Sequence, residues 1–133
     1  MFFDAPVLIA EENSYLAVDL SNALEDMDGK VVGPASTLAE ALQLLEQHAV
    51  AAAIVDCRLG DHDTTSLTRI LAQRGMPFVI QTSTPAPGAI AALHPDVPVL
   101  VKPVQPQALL ACLLGEMRKA GQLPLAGQMP FST

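Results

Sequence analysis

At 133 residues the chain is sized for one domain, in which folding buries roughly two-thirds of the unfolded surface. A net charge of −7, with seven basic residues and no basic cluster beyond Arg118-Lys119, excludes a nucleic-acid backbone as the natural partner. Half the residues are hydrophobic but only 4% are aromatic, so the core is expected to be aliphatic.

Met1-Phe2-Phe3-Asp4 lacks the basic start and long apolar stretch of a signal peptide. No stretch approaches the roughly 20 apolar residues that cross a bilayer. A cytoplasmic protein without a membrane segment is the expectation. Cys57 and Cys112 show neither CxxC spacing nor a nearby His pair, which argues against a disulfide framework and a zinc site.

Strand-like and helix-like patterns alternate along the chain. Residues 7–10 read as a buried strand, and residues 14–28 as a helix with Leu16, Leu20, Leu24 and Met27 on one face, stopped by Asp28-Gly29. Val31-Val32-Gly33-Pro34 is a short strand ended by proline. Thr37-Leu38-Ala39-Glu40 has the spacing of a capping box and opens a helix to about His48. Ala51 to Asp56 is the third strand, and Leu59 to Asp63 a polar loop before a helix from Thr65 to Arg74. Gly75-Met76-Pro77 leads into a strand over 78–82. Pro85, Pro87, Gly88 and Pro95 leave room only for a short helix over Ala89–Leu93. Pro98 to Lys102 is the fifth strand, and Gln105 to Lys119 the last helix, with Leu109, Cys112, Leu113 and Met117 inward. The domain is expected to span residues 1–121, and the aperiodic stretch 122–133 to be a flexible tail.

Five βα units with near-continuous apolar strands imply an α/β fold: a doubly wound, five-stranded parallel sheet covered by helices on both faces. Right-handed crossovers favour the order 2-1-3-4-5, which makes strands 1 and 3 neighbours at the switch point. The strand ends then gather Glu11-Glu12, Asp56, Thr82 and Lys102 along one edge. Three acids, a hydroxyl and an amine suit a carboxylate that accepts a phosphoryl group with help from a divalent metal.

Taken singly, each of these residues has a plainer reading. Asp56 can begin a turn, Glu11 and Glu12 can serve a helix N-terminus, Thr82 with Ser83 and Thr84 can be loop polarity, and Lys102 can be a solvated lysine. Their coincidence at four strand ends outweighs those readings. Cys57 falls on the opposite side from Asp56 by strand alternation and reads as core. His48, His62 and His94 read as surface positions.

Over residues 5–120 the chain resembles the receiver domains of two-component response regulators. In that family an acidic pair follows strand 1, a phospho-accepting Asp ends strand 3, Ser or Thr ends strand 4, and Lys-Pro follows strand 5. Glu11-Glu12, Asp56, Thr82 and Lys102-Pro103 match in that order. The stretch from Val31 to Leu42 also resembles single-domain receivers found with hybrid histidine kinases. The resemblance implies phosphorylation on Asp56 by a histidine kinase or a histidine phosphotransfer protein, with Thr82 and Lys102 assisting. It implies Mg²⁺ held by Glu12, Asp56 and the backbone carbonyl of Arg58, with Glu11 acting through water, and a cis Lys102–Pro103 peptide. It implies a regulatory module rather than an enzyme beyond its own phosphotransfer and dephosphorylation, signalling by protein contact.

Four departures stand out: Glu12 where the metal-contacting acid is usually Asp, Val99 in place of the aromatic switch residue, Val104 where Phe is common, and the short fourth helix. Glu12 and Val99 keep open a second reading, a pseudo-receiver that binds partners without being phosphorylated. A third, a haloacid-dehalogenase-like phosphatase, requires a second acid two residues after Asp56, where Arg58 stands.

Overall fold

The computed structural model describes residues 1–83 and 89–123. The order of elements is β1 (Pro6–Ala10), α1 (Ser14–Asp26), β2 (Lys30–Ala35), α2 (Leu38–Gln47), β3 (Ala52–Asp56), β4 (Arg58–Leu59) and β5 (His62–Asp63). It continues with α3 (Thr65–Gln73), β6 (Phe78–Thr82), α4 (Ala89–Leu93), β7 (Val99–Val101) and α5 (Pro106–Lys119). The main sheet is parallel with the order β2-β1-β3-β6-β7. Counting only its five strands, this is the expected 2-1-3-4-5 order. The residues expected to form a polar loop instead include a small antiparallel hairpin, in which β4 and β5 pair around the Gly60-Asp61 turn. Gly60 supplies the positive φ of 62° that a two-residue turn favours.

Strand alternation divides the core in two. One face carries Val7, Ile9, Ile54 and Val79 under α1 and α5, against Leu20, Leu24, Leu110, Leu113 and Met117. The other carries Leu8, Ala53, Val55 and Ile80 under α2, α3 and α4, against Leu45, Leu67, Leu71 and Ile90. Each buried Leu contributes enough that truncation to Ala costs about 2–5 kcal/mol. Cys112 is only partly buried at the edge of the first cluster. Leu123 lies buried in that cluster, so packing continues past residue 121; residues 124–133 of the expected tail lie outside the described residues.

Local chemistry sets the ends of these elements. The Asn13 side chain accepts the amides of Tyr15 and Leu16 and starts α1. Thr37 caps α2 by accepting the Glu40 amide, while Glu40 returns to the amide of Ser36, one residue before the expected partner. β2 does not stop at Pro34. It bulges against β1 and continues to Ala35, which an edge strand tolerates because a missing N–H there breaks no second ladder. Gly33 makes the bulge possible: its φ is 105°, and a Cβ there would meet the Ala35 nitrogen at 2.7 Å. Leu16, expected on the inner face of α1, lies in the first turn of the helix and is 41% exposed.

Candidate functional site

Register brings the polar strand ends together. Ala10 faces Val55, so Glu11 follows beside Asp56; Asp56 itself faces Gln81, and Thr82 faces Val101 just before Lys102. The Lys102 amide donates to the Thr82 carbonyl at 2.8 Å, which fixes where the lysine side chain departs. The Lys102–Pro103 peptide is cis, as the resemblance implies.

The Lys102 ammonium lies 2.6 Å from Asp56 Oδ2 and 2.8 Å from Glu11 Oε1. Both acids are almost fully buried, at 1% exposure for Glu11 and 5% for Asp56. Their remaining valences are met locally. Asp56 Oδ1 accepts the Arg58 amide at 3.2 Å, and Glu11 accepts the Asn13 amide and the Gln81 side-chain amide. Burial is the largest influence on Asp56 and pushes its carboxyl above the ordinary 3.8; Lys102 and then the Arg58 amide pull it down without cancelling that, and Glu11 adds to the rise. Burial would lower Lys102, but its hydrogen bonds and charge pairing with Asp56 and Glu11 prevail and hold it above its ordinary value. One ammonium between two carboxylates leaves the pocket with a net negative charge.

Glu12 is placed differently. Its side chain is exposed, and Oε2 accepts the Gly60 amide at 2.8 Å, tying the β1–α1 loop to the hairpin. Among the described residues no three acids, histidines or cysteines gather into a metal cage. The donor chemistry still fits a hard divalent cation, since Glu11 and Asp56 are adjacent carboxylates with excess negative charge and Glu12 starts from the same loop. Arg58 anchors the hairpin with its guanidinium on the Asp61 carbonyl at 3.0 Å.

Thr82 is fully buried at the end of β6, and its Oγ1 lies 3.1 Å from the Cys57 thiol. Three supporting residues escaped the sequence reading. Thr64 is buried and its hydroxyl donates to the Asp56 carbonyl at 2.7 Å. Gln81 and Cys57 hold Glu11 and Thr82. Gln81 carried a usable signal, a polar side chain inside a buried strand; Thr64 and Cys57 carried none, because both contacts depend on the hairpin and the β3–β6 register. His48 and His62 are exposed as expected, but His94 is half-buried with its ring edge-on to Phe78 at 5.4 Å.

The model of the response regulator receiver domain matches residues 7–114, most of the chain. The chain belongs to the response regulator receiver family. This receiver is similar to SdrG from Sphingomonas melonis Fr1 at 34% identity, over 83% of this chain and 96% of that one, with a TM-score of 0.69. Two further similar structures support the fold. A CheY-like receiver from Methanospirillum hungatei JF-1 is 21% identical over 89% of this chain and 97% of that one, with a TM-score of 0.78. A response regulator receiver from Sinorhizobium medicae WSM419 is 20% identical over 90% and 99%, with a TM-score of 0.79. A comparison with curated proteins finds no match. Receiver domains are regulatory modules of two-component systems that bind Mg²⁺ at an acidic phosphorylation site, and no described helix of this one is long and apolar enough to cross a membrane.

Proposed function

We propose that this receiver accepts a phosphoryl group on Asp56 from a histidine kinase or a histidine phosphotransfer protein, and signals by protein contact from the cytosol. The observation that carries this reading is the Lys102 ammonium 2.6 Å from Asp56 Oδ2, with Glu11 sharing it. In the reaction an Asp56 oxygen forms the new bond to phosphorus while the phosphorus–nitrogen bond of the donor breaks and the imidazole leaves.

The carboxylate must be ionised to attack, and its burial opposes that. Lys102 offsets the cost and is placed to pair with a phosphoryl oxygen as charge builds, a preorganised role that needs no reorientation of solvent. The Arg58 amide holds Asp56 Oδ1, so the carboxylate cannot rotate freely. Thr82 supplies a hydroxyl at the neighbouring strand end for a second phosphoryl oxygen. Mg²⁺, when bound by Glu11, Asp56, the Arg58 carbonyl and a released Glu12, supplies the positive charge that the pocket lacks.

Incubation with acetyl phosphate and Mg²⁺, followed by intact mass, tests the reading. One added phosphoryl group is expected, absent in Asp56→Asn and in excess chelator. The engagement of Glu12 with Gly60 favours the second reading, a pseudo-receiver. No mass gain under saturating donor and metal would establish it in place of the first.

A further inference from the structure

Two donors from different strands converge on one oxygen of Glu11. Ile9, Ile54 and Val79 lie in the cluster under α1 and α5, so by strand alternation Glu11, Asp56 and Gln81, each two residues further on, turn to that same side. β3 lies between β1 and β6, so Gln81 reaches Glu11 past Asp56, across two strand spacings or roughly 10 Å. Gln81 Nε2 donates to Glu11 Oε1 at 3.0 Å, and the Lys102 ammonium, just beyond β7, meets the same oxygen at 2.8 Å. Glu11 Oε2 is engaged separately, by the Asn13 amide at 3.1 Å. Gln81 is 3% exposed and Glu11 1%, so water has little access to the shared oxygen.

We infer that Gln81 is a positioning residue: by giving Glu11 Oε1 a second donor, it lets the Lys102 ammonium leave Glu11 and pair with a phosphoryl group on Asp56. The inference rests on the phosphoacceptor reading for this consequence, though not for the sharing of the oxygen. A buried acid with a single strong donor holds that donor, because losing it leaves an uncompensated charge in the interior. Glu11 has an amide on the very oxygen that Lys102 touches, so the departure of the ammonium costs it less. An amide suits the task because it donates to a carboxylate without adding a charge that would compete with Lys102 for the phosphoryl oxygens. It also accounts for a glutamine in a strand whose other inward residue on this face, Val79, is apolar.

The test compares the full chain with Gln81→Met, which keeps the length and removes the amide, and Gln81→Leu, a second donor-free variant should the first fold poorly. In unphosphorylated, metal-free protein, the ¹⁵N resonance of the Lys102 ammonium reports its partners. It should shift in both variants, because Glu11 then draws the ammonium closer, and the shift should vanish when the same substitutions are made in Glu11→Gln, where no charge needs the second donor. Initial rates of labelling by acetyl phosphate at saturating Mg²⁺ should fall about five- to thirty-fold in Gln81→Met and Gln81→Leu, part of the worth of one hydrogen bond to a charged group. An unchanged Lys102 resonance in both variants, or the same shift with and without the Glu11 charge, would overturn the sharing. Labelling as fast as in the wild type, or faster, would overturn its consequence for phosphorylation. If the wild type is not labelled at all, the phosphoacceptor reading fails, while the Lys102 resonance still decides the sharing.

Discussion

Glu12 and Gly60, 48 residues apart in sequence, are joined by a hydrogen bond of 2.8 Å from the Gly60 amide to the Glu12 carboxylate. The acid that would contact a metal is thereby spent on the hairpin. Asp is one methylene shorter and cannot span the same gap without moving the loop. We predict that Glu12→Asp frees the hairpin and tightens Mg²⁺ binding in a calorimetric titration, at a stability cost below about 1 kcal/mol because the bond is exposed. Weaker binding in the variant would show that the site is shaped around the longer acid.

Lys102→Ala should destabilise the fold by about 3 kcal/mol near neutral pH, because it leaves Glu11 and Asp56 buried side by side without a counter-ion. Asp56 already titrates above its ordinary 3.8, and losing the lysine raises it further. A carboxyl raised in the folded state contributes stability at low pH that is lost as pH rises through its folded value. The deficit should therefore shrink on acidification. It should shrink again at high pH: the raised Lys102 stabilises the wild type fully below 10.5, and that contribution is lost as pH climbs through its folded value. Urea denaturation from pH 4 to 11 checks this, and a deficit independent of pH would sink it.

The sheet order and the strand ends were legible in the sequence because buried parallel strands write continuous apolar runs, and a polar residue closing each run marks the edge. α4 was legible to the residue, since prolines and a glycine bound Ala89–Leu93 closely. The hairpin was not, because two-residue strands carry no periodicity and Arg58-Leu59-Gly60-Asp61-His62-Asp63 reads as loop polarity. With the hairpin unseen, the Glu12–Gly60 bond could not be foreseen, nor the Thr64 hydroxyl on the Asp56 carbonyl. Cys57 was read correctly as core. What it touches there follows from the β3–β6 register, a long-range property that no local window contains.

His94 gives the wild type a second pH dependence. Burial, and then the charge of Arg69, lower its titration below the ordinary 6.5, and its buried Nε2 has no hydrogen-bond partner among the described residues. A histidine lowered in the folded state contributes stability that is complete above 6.5 and lost as pH falls through the folded value. Stability should thus decline between pH 7.5 and 5.5 in the wild type. His94→Phe keeps a ring against Phe78 and should remove that part of the decline. Parallel denaturation curves for the two proteins across this range would refute the assignment.

The output face is expected to include α4, β7 and the start of α5. α4 has five residues with Ile90 buried at 3% exposure, and β7 is a three-residue edge strand whose Val101 is 44% exposed. Such thinly packed elements open at low free energy, so they shift with the smallest push. The push comes through Thr82, whose carbonyl accepts the Lys102 amide at the end of β7 and whose hydroxyl touches Cys57 in the cluster that holds Ile90. Val99 is half-buried and aliphatic, so a ring rotation cannot report the state of Thr82, and backbone movement must. Hydrogen exchange with beryllium fluoride and Mg²⁺ as the phosphoryl mimic should therefore change the rates of amides between residues 89 and 104 by at least about three-fold, corresponding to roughly 0.6 kcal/mol in local opening. A response confined to the loops around Glu11 and Asp56, with 89–104 unaltered, would place the output elsewhere.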